Sequence, residues 1–129
     1  MQPPDLPPVT VEALLQQVRD DNYMTLACRA TSVELFIPVV PLQHSILKRA
    51  VGRMFHGHEI RVTTAEDLIL LKMAFHRQKD LQDIKGILHV QQGRLDIPYL
   101  RHWSGQMLED PAAHELDELI ARYDADRPG

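Results

Sequence analysis

The sequence predicts a small α+β fold, with strands in its first half and helices in its second. Between residues 24 and 62, short apolar runs alternate with polar turns, which is typical of hairpins. From residue 64 to about residue 123, apolar residues recur at helical spacing behind recognisable cap residues. A chain of 129 residues can also bury a core without cross-links. We therefore expect a small mixed β-sheet packed with helices and a helical C-terminal half.

Composition narrows the class of protein. The formal net charge is -4, so nothing indicates the basic surface that binds nucleic acid. The single cysteine, Cys28, rules out an internal disulfide framework and fits a reducing compartment. No apolar run reaches membrane-spanning length, and the N-terminal MQPPDLPPVT is unlike a signal peptide. We expect a cytoplasmic protein with no membrane partner and no strong nucleic-acid signal.

Three segments are expected along the chain. Residues 1–9 hold four prolines and predict a disordered proline-rich tail. Residues 10–123 contain no linker and no internal repeat, so they predict a single domain. Residues 124–129 are expected to be a frayed tail.

The first half begins with a helix and a hairpin. Thr10 is a suitable cap for a helix to about Asp21. Residues 24–28 and 32–38 then predict two strands joined by a short polar turn. On the second strand, Glu34 points away from an aliphatic face. That face is formed by Val33, Leu35 and Ile37.

A second hairpin follows a short helix over residues 42–50. Residues 53–55 and 59–62 predict two short strands around a turn containing a glycine. Two histidines in this turn, His56 and His58, could offer two nitrogens to a metal. Because no third ligand has suitable spacing, we interpret them as a surface turn.

The segment from Thr63 to Ile84 carries the strongest helix signal. Thr63 and Glu66 have the spacing of a capping box, in which each side chain reaches the other residue's backbone N–H. Apolar residues then recur at helical spacing, which predicts a buried face. That face is expected to contain Leu68, Leu71 and Phe75.

Three further helices are predicted. One runs from about Lys79 to Val90, the next is capped by Asp96, and the last begins at Asp110-Pro111. Apolar stripes are expected at Leu81, Ile84 and Leu88, at Tyr99, Leu100, Trp103 and Met107, and at Leu116, Leu119 and Ile120.

The segment from Thr63 to Ile84 ends in a charged cluster, and spacing leaves two interpretations of it open. Lys72 lies on an otherwise apolar helix, where its ammonium could reach a cleft and hold a phosphate. It could equally be an ordinary helix-surface lysine. Asp80 and Asp83 near a helix start interact favourably with the helix dipole, with Arg77 and Lys79 as local ion-pair partners. Spacing alone favours the structural interpretation.

Glu34 leaves a similar pair of alternatives. A carboxylate on a strand, pointing away from the aliphatic face, can be a Mg²⁺ ligand. Most such residues simply face water, and one carboxylate does not make a metal site.

The order of these segments resembles a known family. The chain reads S-V-E-L-F-I-P, L-K-R-A, I-R-V-T-T-A-E-D-L-I-L-L-K, R-Q-K-D-L-Q-D-I-K-G-I-L and L-D-I-P-Y-L-R-H-W in turn. This order resembles bacterial nucleotidyltransferase-fold proteins of the minimal and AbiEii-like type, in the DNA polymerase β superfamily. The resemblance runs from about Val11 to Leu108, which is most of the chain.

The resemblance implies transfer of a nucleoside monophosphate from a nucleoside triphosphate. In complete members, a D-x-D pair and a third carboxylate hold two Mg²⁺ ions that align the attacking and leaving oxygens. Here Glu34 matches the third carboxylate as a metal ligand. Lys72 matches a lysine near the triphosphate, and Asp80 and Asp83 match the acidic pair after it, so the resemblance makes these three the catalytic candidates. By the same resemblance, we assign nucleotide binding to their neighbours, Arg77 and Lys79.

One part of the family pattern is missing. Complete members carry G-[S/T] and D-x-D before the segment that matches Val11, where this chain has MQPPDLPP. We therefore expect a truncated or degenerate member with little or no transfer activity on its own, and so no cofactor. One alternative is an active enzyme using Mg²⁺ and a nucleoside triphosphate, whose start is set too far downstream or which a partner chain completes. Another is a non-catalytic, antitoxin-like interaction module. Such a module would form a homodimer or bind a neighbouring gene's product through an exposed sheet edge, or would use the surface of the helix that carries Trp103.

Overall fold

A computed structural model describes residues 10–125 and shows an α+β protein, which confirms the predicted fold class. The predicted tails at residues 1–9 and 126–129 lie outside the described residues. The elements are α1 (Val11–Asp21), β1 (Tyr23–Cys28), β2 (Thr31–Phe36), α2 (Pro41–Arg49), β3 (Val51–Phe55), β4 (His58–Val62), α3 (Ala65–Phe75), α4 (Gln78–Val90), α5 (Ile97–Met107) and α6 (Asp110–Ala125).

The chain divides after His44, within α2, into two compact units. The strands form two separate antiparallel hairpins, with β1–β2 in the first unit and β3–β4 in the second. Each hairpin forms locally because its two strands are adjacent in the chain and a two-residue turn joins them.

The first unit contains α1 and the β1–β2 hairpin. Thr10 caps α1 as predicted, since its hydroxyl accepts from the backbone N–H of Ala13 at 3.1 Å. In the hairpin, Glu34 lies opposite Thr25, on the other face from Val33 and Leu35. The predicted alternation along β2 is therefore confirmed, although every residue of this strand is exposed.

The β3–β4 hairpin belongs to the second unit. His56 and Gly57 form its turn, with φ of 50° and 80°. Two positive φ values in succession are typical of a type I′ turn, and glycine makes the second of them easy to adopt. Both His56 and His58 are exposed, in agreement with a surface turn.

The core of the second unit lies among four helices. α3 packs on α4 and α5, and α6 closes the arrangement by packing on both α4 and α5. The predicted stripe of α6 is fully buried, and two of the three stripe residues of α4 are buried as well. The buried apolar side chains of these helices are Ile69, Leu70, Met73, Ile84, Leu88, Leu100, Leu116, Leu119 and Ile120. None of the helices formed by residues 10–125 is long and apolar enough to cross a membrane.

Two sequence-based predictions for α3 are wrong. The cap is Thr64, whose hydroxyl accepts from the backbone N–H of Asp67 at 3.2 Å, whereas the Thr63 hydroxyl bonds to a backbone carbonyl. The predicted stripe is not the buried one, since Phe75 is 53% exposed. The buried residues are instead Asp67, Ile69, Leu70 and Met73. Because α3 is apolar on nearly all sides, its periodicity does not choose a face, and packing against α4 and α5 decides it.

Candidate functional site

The predicted charged residues meet at the corner between α3 and α4. α3 ends at Phe75 and is capped by His76, which adopts a left-handed conformation with φ of 54° and donates its backbone N–H to the Lys72 carbonyl. Only His76 and Arg77 separate the two helices, so the last turn of α3 lies beside the first turn of α4. This connection gathers the corner cluster, defined here as Lys72, Arg77, Asp80 and Asp83.

Asp80 is the centre of the corner cluster and has no exposed surface. Its Oδ2 accepts from Arg77 twice, from Nε at 2.7 Å and from the backbone N–H at 3.2 Å. Its Oδ1 accepts from Arg77 Nη2 at 3.3 Å. The side-chain hydrogen bonds from Arg77 hold the pKa of Asp80 below its usual range, although burial opposes them. Asp80 thus accepts from the backbone N–H that precedes the first turn of α4, which is the acidic half of a capping box.

Lys72 bridges the two aspartates of the corner cluster. Its Nζ lies 2.8 Å from Asp83 Oδ2 and 3.7 Å from Asp80 Oδ1. Two cations and two anions are therefore in mutual contact, and their formal charges cancel.

The other two predicted site residues are placed differently. Lys79 is exposed on the first turn of α4, and its side chain has no hydrogen bond or ion pair within the described residues. Glu34 is exposed on β2, in the first unit.

An open groove of about 880 Å³ runs along the corner cluster in the second unit. We call it the hairpin groove, because the β3–β4 hairpin forms one wall and α3 and α4 form the other. Its apolar lining includes Val51, Val62, Leu68, Ile87 and Val90, and its charged lining is Arg53, Glu66, Lys72 and Asp83.

A second polar network lies at the start of α3. The phenolic oxygen of Tyr99 donates a short hydrogen bond to Asp67, which is completely buried. The hydroxyl of Ser45 lies 3.0 Å from the same phenolic oxygen. Arg49 stacks on the Tyr99 ring at 3.8 Å and brings Nε to 3.6 Å from Asp67 Oδ2. Burial raises the pKa of Tyr99, and the hydrogen bond to Asp67 raises it further.

The Asp67 network, Ser45, Arg49, Asp67 and Tyr99, was not predicted as a site from the sequence. It connects α2, α3 and α5, which are far apart along the chain. The available signal was a second acid beside Glu66 at a helix start, and the helix dipole already explains an acid there.

The corner cluster does not fit a magnesium site. Mg²⁺ needs oxygen ligands in nearly octahedral geometry and keeps several waters. Both oxygens of Asp80 already accept from Arg77, and the side chain has no surface at which a hydrated ion could arrive. Among the side chains that the structure describes, no three His, Cys, Asp or Glu are grouped so that they could hold a metal ion.

No protein-family model, curated protein or solved structure matches this chain.

Proposed function

We propose that this protein is a nucleotidyltransferase-like domain that transfers little or no nucleoside monophosphate on its own. In this proposal the corner cluster holds α3 and α4 together. The state of Asp80 carries the proposal. A carboxylate that is completely buried and bonded through both oxygens to Arg77 is a structural group, because a metal could reach it only by breaking those bonds.

The environment of Lys72 supports the same conclusion. A triphosphate would have to displace Asp83 from the lysine ammonium, at 2.8 Å, before it could bind there. Since the charges of the corner cluster cancel, the cluster offers no net positive field to draw a polyanion in. The cation therefore stabilises the helix corner rather than a ligand.

A transfer assay tests this proposal. The purified chain is incubated with each α-labelled nucleoside triphosphate and Mg²⁺ or Mn²⁺, and transfer to protein, RNA or small acceptors is measured. We expect no transfer above the level of an unfolded control, and no calorimetric heat with millimolar Mg-ATP or Mg-GTP. Transfer that is lost in Lys72→Ala but kept in Lys79→Ala would overturn the proposal and support the active enzyme.

A second candidate function is assembly, which the exposure of β2 favours. All six residues of this strand are exposed, and only β1 pairs with it among residues 10–125. A sheet edge of this kind is a ready template for another chain. We propose that the protein acts in the cytoplasm as an interaction module, with a second copy or a neighbouring gene's product at this edge. Light scattering tests this, because a monomer that binds no such product contradicts it.

A further inference from the structure

The outer edge of β2 carries a regular set of backbone groups. A two-residue turn at Arg29-Ala30 joins the strands, so the closing pair, Cys28 and Thr31, exchanges hydrogen bonds. Alternate residues of β2 then bond to β1, and the backbone N–H of Ile37 continues this series by donating to Asn22 at 2.9 Å. The backbone groups between them point to the opposite edge. They belong to Ser32, Glu34 and Phe36.

Apolar side chains flank this edge on both faces of the hairpin. On one face, Val33, Leu35 and Ile37 are 38%, 46% and 43% exposed. On the other face, Phe36 is 49% exposed and stacks on Tyr23. A two-stranded hairpin is marginally stable in water, and a third strand with an apolar face stabilises it. The first unit therefore gains stability from any strand that pairs along this edge.

The chain's own segments are poor candidates for that strand. Residues 1–9 contain four prolines, which cannot donate to a ladder. Residues 126–129 include Pro128, which likewise cannot donate to a ladder. β3 and β4 pair with each other.

We propose that the occupant of this edge is β2 of a second copy, antiparallel, with the two-fold axis beside Leu35. In this register the two Leu35 side chains lie opposite each other, and Val33 of each copy faces Ile37 of the other. Glu34 exchanges backbone hydrogen bonds with Phe36 of the other copy. The outward-facing N–H and C=O groups of both residues therefore have partners. A register centred on Glu34 would instead put two carboxylates directly opposite each other, which is unfavourable.

The result is a four-stranded antiparallel sheet with a continuous aliphatic face. An isologous contact of this kind uses the same strand twice and closes at two copies. The inference rests on the assembly candidate above and is independent of the nucleotidyltransferase proposal.

Disulfide trapping tests the register. In a Cys28→Ser background, the full chain with Leu35→Cys is oxidised and separated by non-reducing electrophoresis. Directly opposite residues of a non-hydrogen-bonded pair have Cα atoms about 4.5 Å apart, within the range of a disulfide. We expect Leu35→Cys to form a covalent dimer. Glu34→Cys in the same background is the matched control, because its two copies are offset by two positions and cannot be bridged.

Light scattering tests the contact without a cross-link. We expect the parent chain to have twice the 14.8 kDa mass of one copy. Leu35→Lys places two ammonium groups at the axis and is expected to give a monomer at the same concentration. Thr25→Lys, exposed on the inner strand β1, is expected to remain a dimer. Far-UV circular dichroism checks that both variants are folded.

The possible failures are distinguishable. A monomeric parent chain that gives no trapped dimer overturns this inference and removes the homodimer from the assembly candidate. A dimer that Leu35→Lys leaves intact, or that Glu34→Cys traps in place of Leu35→Cys, overturns the β2 register while leaving assembly by another contact.

Discussion

The guanidinium of Arg77 holds the carboxylate of Asp80, with Nε 2.7 Å from Oδ2, where α3 passes into α4. The carboxylate is completely buried although the arginine side chain is 58% exposed, so the arginine covers the acid. The same acid accepts from the Arg77 backbone and thereby fixes the start of α4. One ion pair thus lies at the start of α4 and neutralises a buried charge.

Asp80→Asn is expected to lower stability and to change its dependence on pH. Because the folded pKa of Asp80 lies below the ordinary value of 3.8, the carboxylate stabilises the fold above that pH. This contribution is lost as the pH falls through the lower folded pKa. Thermal unfolding from pH 7 to pH 2 should show a lower midpoint for the variant at neutral pH and a smaller loss on acidification. Asp117→Asn, which removes an exposed acid, is the control, and equal midpoints for Asp80→Asn and the parent would contradict the prediction.

Tyr99→Phe is expected to destabilise the second unit by about 1–3 kcal/mol, because it leaves the buried Asp67 without its hydroxyl donor. Chemical denaturation with urea measures this. Ser45→Ala is the matched control. It keeps the bond between Tyr99 and Asp67, so its cost should be smaller. A larger loss in Ser45→Ala than in Tyr99→Phe would disagree with this assignment.

Alkaline titration should show that Tyr99 ionises above the ordinary tyrosine pKa of 10.0. Burial and the Asp67 carboxylate raise its pKa above 10.0, because both disfavour a second negative charge. The neutral phenol therefore stabilises the fold below about pH 10, and this stability is lost as the pH rises through the folded pKa. Absorbance near 295 nm follows the ionisation. The late phase should vanish in Tyr99→Phe and persist in Tyr23→Phe, and a late phase that survives in Tyr99→Phe contradicts the assignment.

Lys72 and Asp83 should couple weakly. Their contact is 2.8 Å, but the Asp83 side chain is 53% exposed, so the coupling in a double-mutant cycle of Lys72→Met and Asp83→Asn should be about 0.2–1 kcal/mol. It should fall as salt is added, since exposed charges are screened. A coupling of zero at low salt would show that the pair does not fasten the corner.

Thr64→Ala should cost about 0.5–2 kcal/mol, because Thr64 supplies the oxygen that caps α3. Thr63→Ala is the matched control, and its cost should be clearly smaller because the Thr63 hydroxyl does not bond to a helix N–H. Urea unfolding of both variants decides between them. Equal losses of stability, or a larger loss for Thr63→Ala, would support the capping box of Thr63 and Glu66 that their spacing predicts.

The local elements of this protein are encoded in short stretches of its sequence. Both hairpins, the caps at Thr10 and Asp96, and the buried stripe of α6 follow from features within a few residues of each other. Alternation, turn residues and cap residues act over such distances, so a sequence pattern carries them fully.

The buried face of α3 and the partners of the charged residues depend instead on how distant helices pack together. α3 is apolar on nearly all sides, so its buried face depends on where α4 and α5 pack. The Asp67 network joins side chains up to 54 positions apart, and no local pattern encodes such a contact. The sequence pattern around Asp80 is that of an acid on a helix surface. In the structure Asp80 is buried beneath Arg77, and the burial of a charge depends on the partner that compensates it.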